Sequence, residues 1–217
     1  MIIPVYKPEG WTSFDVVKKV RAISGEKKVG HSGTLDPFAE GVLVLGLGSS
    51  TKELTTISQQ DKTYEAVLKL GIETDSLDVE GRVISKSPIP VLSREKIQYV
   101  FERFTGVISQ VPPMYSAKKV NGTRLYKYAR KNIKVDRNPV IIEVKSLKLK
   151  DFSDDKISFS VDCSKGTYIR QLGSDIAVAL GTVGHLIHLV RTRIGTIRLA
   201  DCRRIEDLEK EWIFTEV

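Results

Sequence analysis

The feature that most constrains the fold is the run Gly41-Val42-Leu43-Val44-Leu45-Gly46. It is apolar throughout and bounded by glycines, so it reads as a strand buried on both faces; a half-buried strand would alternate and a helix would be longer. The stretch before it is stiff. Asp36 precedes Pro37, and proline disfavours the helical region for its predecessor, so Asp36 is expected to be extended. Gly30 and Gly33 permit backbone angles closed to other residues. A carboxylate on a stiff loop tied to a core strand suits catalysis, but Asp, Pro and Gly are equally the residues of an ordinary turn. Both readings stand at this point.

A chain of 217 residues can bury a full core without staples. A single domain over 1–217 is expected, with an excursion at about 112–139. Hydrophobic content of 41% against 28% charged residues fits a soluble globular protein. No apolar stretch reaches the length of a membrane span, and MIIPVYKPEGW lacks the layout of a signal peptide. Cys163 and Cys202 show neither metal-ligand nor disulfide spacing, so a reducing, cytoplasmic setting is the default expectation.

Charge is informative through its location. The chain holds 34 Lys+Arg against 27 Asp+Glu, a net +7. Between Met114 and Asn138 lie Lys118, Lys119, Arg124, Lys127, Arg130, Lys131, Lys134 and Arg137 against Asp136 alone, so this segment supplies the whole excess. Such concentration is the footprint of a polyanionic partner.

Along the chain, residues 2–6 read as a strand with Pro4 marking an edge. Ser13 is the expected N-cap of a helix carrying Val16, Val17, Val20 and Ile23, stopped at Gly25. In KTYEAVLKL (62–70), Tyr64, Ala66, Leu68 and Leu70 share one face of a strand. The acidic loop at 71–81 leads to a short strand at 82–85. Ser93 caps a helix bearing Ile97, Val100, Phe101 and Phe104, ended by Gly106. Within the basic excursion, Thr123 to Asn132 is expected to be a short helix with a thin apolar stripe. Strands are expected at 140–150 and 157–163, with Cys163 as a buried small hydrophobe. Thr167–Arg170 reads as a strand that turns into a helix ended by Gly181. HLIHLVRTRIGTIRL (185–199) reads as one strand, followed by a helix from Ile205 to Trp212. Sequential strands with short turns predict an α+β fold with a mixed, largely antiparallel sheet flanked by helices.

No phosphate-binding loop or dinucleotide fingerprint is present. His185 and His188 would face opposite sides of a strand, which argues against zinc. The chemistry expected is metal-free and cofactor-free, built on a carboxylate with cationic and aromatic company. Arg170 could be that cation, or a surface ion-pair residue at a strand end. Tyr64 could stack on a planar ligand, or simply fill the core.

GHSGTLDPFAEGVL (30–43) followed by GLGSSTK (46–52) resembles the signature of the TruB family of tRNA pseudouridine-55 synthases. The likeness extends to KPEGWTS at 7–13, DKTYEAVLKLG at 61–71 and TDSLDVEG at 74–81. It continues through PPMYSAKKVNGTRLYKYAR at 112–130, CSKGTYIRQLGSDI at 163–176 and HLIHLVRTRIG at 185–195. The motifs occur in the family's order.

The resemblance implies a pseudouridine synthase catalytic fold and isomerisation of uridine in the tRNA T-loop, with Asp36 as catalytic aspartate. Asp36 would attack C1′ or abstract a ribose proton; both routes need an ionised carboxylate, which a cation such as Arg170 would favour. Tyr64 matches the active-site tyrosine, Leu189 an apolar pocket residue and Lys52 a supporting or phosphate-binding lysine. Because the base must leave its stack, His31 is the family-matched residue to fill the vacated space. Lys118, Lys119, Arg124, Lys127 and Arg130 fall in the family's RNA-gripping insertion. Two departures are visible. Val190-Arg191 replaces a common pair of arginines, and the 22 residues after Gly195 are too few for the C-terminal RNA-binding PUA domain that most members carry, so either a naturally short form or a truncated chain is expected. The expected partner is the T-stem and loop of tRNA, the expected state a monomer. The alternatives are a catalytic subunit of a guide-RNA pseudouridylase and a non-catalytic tRNA-binding or folding factor.

Overall fold

The strand Glu40–Leu47 (β3) shows why its sequence does not alternate. In a computed structural model that describes residues 1–120, 122–131 and 133–213, Gly41 to Leu47 are all buried. In chain order the first elements are β1 (Ile2–Lys7), α1 (Ser13–Ser24), β2 (Val29–His31), β3 (Glu40–Leu47), a 3-10 turn (Gly48–Lys52), α2 (Leu54–Gln59) and β4 (Lys62–Leu70). Next come β5 (Ile72–Thr74), β6 (Val83–Lys86), α3 (Arg94–Arg103), β7 (Gly106–Gln110), β8 (Lys119–Val120), β9 (Thr123–Arg124) and α4 (Leu125–Ala129). The rest are β10 (Val140–Phe152), β11 (Lys156–Cys163), α5 (Ile169–Leu180), β12 (Gly184–Ile194), β13 (Ile197–Arg198), a 3-10 turn (Leu199–Asp201) and α6 (Ile205–Ile213). The protein is α+β, with a mixed, largely antiparallel sheet flanked by helices. Residues 1–65 and 189–217 form one compact unit, and 66–188 a second.

In the first unit β3 pairs antiparallel with β1, from Ile2 opposite Gly46 to Lys7 opposite Gly41. Its other edge pairs antiparallel with β2 and parallel with Val190 and Arg191 of β12. One face packs Leu43, Leu45 and Leu47 with Val16, Val17 and Val20 of α1 and Leu208 of α6. The opposite face packs Val42 and Val44 with Ile194. Core therefore covers both faces, and the uninterrupted apolar run follows. As Pro4 suggested, β1 is a terminal strand of the sheet.

Two expectations for this unit need correction. Thr12, not Ser13, is the N-cap of α1. Its hydroxyl accepts from Asp15 N–H, and the Asp15 carboxylate accepts from Thr12 N–H, a complete capping box. Nor is 185–199 one strand. Gly195, at φ 56°, turns the chain so that Ile194 faces Ile197 across a hairpin.

The second unit holds β10 between β11 and β7, both antiparallel to it. Phe101 of α3 meets Phe159 of β11 edge-on at 5.9 Å. Cys163 is fully buried in this core. Here too the structure departs from the sequence reading. Thr167 and Tyr168 are not strand, and the chain enters α5 at Ile169. Helix α4 spans only Leu125–Ala129, because Thr123 and Arg124 pair with Lys119 and Val120 in a hairpin. Asn132, the proposed end of that helix, lies outside the described residues. No described helix is long and apolar enough to cross a membrane.

Gly41 sits at φ 105°, and a Cβ there would lie 2.4 Å from the Arg191 carbonyl oxygen. Gly41→Ala is expected to cost about 2–5 kcal/mol from backbone strain and overpacking. Urea unfolding measures it; a loss below about 0.5 kcal/mol, within the range of neutral surface changes, would contradict the tight β3–β12 approach.

Candidate active site

Asp36 lies on the loop that joins β2 to β3, half-buried at the start of a turn closed by Ala39 N–H donating to the Asp36 carbonyl at 3.1 Å. Pro37 occupies the second position of that turn, where its fixed φ is favourable. The loop is held on both sides of Asp36. Before it, the buried Ser13 hydroxyl accepts from Leu35 N–H at 2.8 Å and donates to Leu35 O at 3.1 Å. That use explains why Ser13 is not the cap. After it, the Lys7 ammonium donates to Pro37 O at 3.1 Å, and also to Pro8 O and Trp11 O. At the loop's base Arg191 donates to Gly33 O (3.1 Å), Thr34 O (3.4 Å) and Val42 O (2.8 Å). Lys7 is 0% exposed and Arg191 1%, so both cations are in the interior.

The remaining candidates of the first unit fall as follows. His31 ends β2, half-buried, and its Nδ1 accepts from Gly33 N–H at 3.2 Å. Tyr64 is 8% exposed on the inward face of β4, and Leu189 on β12 is 4% exposed. Lys52 is exposed at the end of the 3-10 turn after β3. A second acid close in sequence is engaged elsewhere: Tyr6 Oη donates to Glu40 Oε2 at 2.5 Å. Burial, then this bond, raises the Tyr6 hydroxyl to about 12.

In the second unit, Arg170 belongs to the first turn of α5 and is 4% exposed, not a surface residue at a strand end. Its guanidinium forms an ion pair with Asp78 at 3.4 Å and donates to Ser76 O and Tyr115 O at 2.5 and 2.7 Å. Asp78 also accepts from Ser76 Oγ and Glu80 N–H, so the acidic 74–81 loop is wrapped around a buried ion pair. Lys119, Arg124, Lys127 and Arg130 are exposed on the basic excursion, with Arg130 stacked over the Tyr126 ring at 5.4 Å. Lys118 is half-buried and donates to Asn138 O. His185 is buried, with Nδ1 2.8 Å from Ile72 O, whereas His188 is exposed. Among the described residues no group of three or more His, Cys, Asp or Glu side chains could hold a metal.

Sequence reasoning gave Lys7, Arg191 and Asp78 no role in the site and misread Ser13. A signal existed for Lys7. The period of β1 puts it on the inward face with Ile3 and Val5.

Residues 21–169 match the family model described as TruB family pseudouridylate synthase, N-terminal domain. The chain belongs to the TruB family. It is 47% identical over 208 residues to the tRNA pseudouridine synthase B of Hydrogenovibrio crunogenus, covering 96% of this chain and 69% of that protein. The same-named protein of Caldanaerobacter subterraneus subsp. tengcongensis is 41% identical, with 96% and 74% covered. That of Psychrobacter cryohalolentis is 43% identical, with 96% and 59% covered. Among solved structures, a chain of a Cbf5–Nop10–Gar1 complex superposes with a TM-score of 0.78 at 28% identity, over 99% of this chain and 55% of its own. A chain of an H/ACA RNP bound to a substrate RNA containing 2'-deoxyuridine gives 0.74 at 25%, over 99% and 54%.

One residue of the TruB signature carries a pH dependence. Burial, then the positive charge of Arg191, holds the His31 imidazole below its usual 6.5. Above about pH 6.5 the ring is neutral in both folded and unfolded chains. As pH falls through that value, the unfolded chain takes up a proton that the folded one resists, so stability is lost on acidification. His31→Asn keeps an acceptor for Gly33 N–H but cannot titrate. The drop in unfolding free energy between pH 7.5 and pH 5.5, measured by urea titration, is expected to be smaller in this variant. An unchanged drop would rule His31 out as its source.

Proposed function

We propose that the chain isomerises uridine to pseudouridine in the T-loop of tRNA, at position 55. The observation that carries this reading is Asp36: an acid of the family signature, on a turn whose neighbouring carbonyls are held by buried side chains on either side. The proteins that are 41–47% identical to it over the aligned stretch are named for tRNA pseudouridine synthesis, which supports tRNA as the substrate. The guide-RNA alternative is favoured less: the superposed chains of the Cbf5–Nop10–Gar1 complex and the H/ACA RNP, both drawn from multi-component particles, are only 28% and 25% identical to this one.

In this reading the Asp36 carboxylate either attacks C1′ as the C1′–N1 bond breaks, or takes a ribose proton to give a glycal-like intermediate. The uracil then turns and rejoins through C5. As the C1′–C5 bond forms, the Asp36–C1′ ester bond breaks on the first route, or the ribose proton held by Asp36 returns on the second; N1 then takes up a proton and the C5 proton is lost. Tyr64 packs against the base and assists that proton's removal, Leu189 lines the apolar side of the pocket, and Arg170 is the family's active-site cation. Extruding the base costs a few kcal/mol. His31, moving into the space left, would return part of it. Lys52 and the exposed cations Lys119, Arg124, Lys127 and Arg130, with Lys118, bind phosphates and position the RNA. A cytoplasmic monomer is part of the same proposal.

Asp36→Asn is expected to abolish tritium release from 5-tritiated uridine in T-loop RNA while cooperative unfolding is retained; undiminished release would sink the assignment. The purified chain alone should act on a bare tRNA transcript. A requirement for added guide RNA would favour the alternative. The basic excursion makes a separate prediction. Replacing Lys127 and Arg130 with glutamine should weaken tRNA binding and lower the slope of log affinity against log salt by about one for each phosphate no longer bound. An unchanged slope would remove this segment from the interface.

A further inference from the structure

The buried arginine at the base of the Asp36 loop is more than a core residue. Arg191 is 1% exposed, and among the described residues its guanidinium makes no ion pair. A charge taken out of water without a counter-ion is costly unless its donors are fully used. Here three hydrogen bonds, one from each guanidinium nitrogen, go to backbone carbonyls. Gly33 O and Thr34 O lie at the start of the loop and Val42 O at its end, so one planar group joins both ends of the segment that presents Asp36. The residue itself cannot drift. Its backbone pairs with Gly41 in the parallel β3–β12 bridge, so closely that a Cβ on Gly41 would strike it. Ser13 adds a second hold at Leu35, next to the acid, from the first turn of α1.

We propose that Arg191 and Ser13 are positioning residues for the reaction: they set the direction of the Asp36 carboxylate through the loop backbone, Arg191 as a clasp across residues 33–42 and Ser13 as a pin at Leu35. The inference rests on the reading of Asp36 as the reacting carboxylate. A guanidinium has the donors to span both ends of the loop at once, whereas an ammonium is a compact point donor. The geometry of the clasp, rather than its charge alone, is what the reaction requires. Displacement of a catalytic group by about 1 Å can cost on the order of 100-fold in rate.

The test compares wild type, Arg191→Lys, Arg191→Met and Ser13→Ala in two assays: steady-state tritium release from T-loop RNA, and amide hydrogen exchange across residues 33–41. The expected result is a fall in kcat of about 10–100-fold for Arg191→Met and Arg191→Lys alike and a smaller fall for Ser13→Ala, with KM for RNA held within about twofold. Exchange over 33–41 should quicken in all three, with the rest of the chain unaltered. Wild-type kcat in Arg191→Lys would overturn the clasp, because charge would then suffice. So would loss of kcat accompanied by general loosening, which marks a merely structural role. Should Arg191→Met not fold, Arg191→Lys and Ser13→Ala decide the matter. Should the wild type release no tritium, the functional reading fails, and the exchange arm still decides whether Arg191 and Ser13 hold the loop.

Discussion

Two cations buried in the first unit, with backbone carbonyls as hydrogen-bond partners, give the Asp36 loop its shape. A loop drawn into an interior leaves carbonyls that must be paired. Apolar packing cannot pair them, and a neutral donor satisfies one or two. The Lys7 ammonium takes Pro8, Trp11 and Pro37, and the Arg191 guanidinium takes Gly33, Thr34 and Val42. Hydrogen bonds from charged donors are stronger than neutral ones, and stronger again away from water. The core of β3 thus supplies the floor, and the buried charges fix the loop that rises from it.

How much of this was legible depends on how local each signal is. The burial of β3 is written in consecutive residues and was read correctly. So was the alternation of β4, because a period of two needs no knowledge of the partner. The helix start at residue 12 or 13 was not decidable by cap preference alone, since Thr12 and Ser13 are both good caps. Asp15 three residues after Thr12 completes the box, and Leu35, distant in sequence, claims the Ser13 hydroxyl. The strand placement of Arg170 failed for the same reason. Tyr168 and Arg170 alternate as in a strand, yet the burial of Arg170 depends on Asp78, which no local pattern connects to it. The turn at Gly195 was visible as a glycine but outweighed by the β-rich run on either side.

The basic excursion obeys a different balance. Leu125 and Ala129 are buried one helical turn apart, enough for α4 and no longer helix. Its remaining backbone order comes from a two-residue hairpin and a few local bonds, such as Leu125 N–H to Lys118 O. Segments with few apolar contacts and exposed hydrogen bonds sit at the low end of local stability. Phosphate recognition tolerates that, because long cationic side chains reach the backbone of a nucleic acid without a rigid platform. Carboxylate chemistry at a sugar carbon does not tolerate it.

Stability alone does not account for an arginine such as Arg191. Replacing buried ionic groups with apolar side chains of similar volume is often neutral or stabilising. At 1% exposure, the position of Arg191 on β12 is as buried as one that a leucine or methionine would fill. What an apolar side chain cannot do is hold three carbonyls from opposite ends of a loop at fixed separations. A reacting group that is already in place needs no reorganisation when the reaction occurs, and such preorganisation is a principal source of an enzyme's rate enhancement. The penalty for burying Arg191 falls on the folded state alone. With Asp36 proposed as the reacting carboxylate, the benefit lies in the geometry of that group, although Arg191 is sealed from solvent.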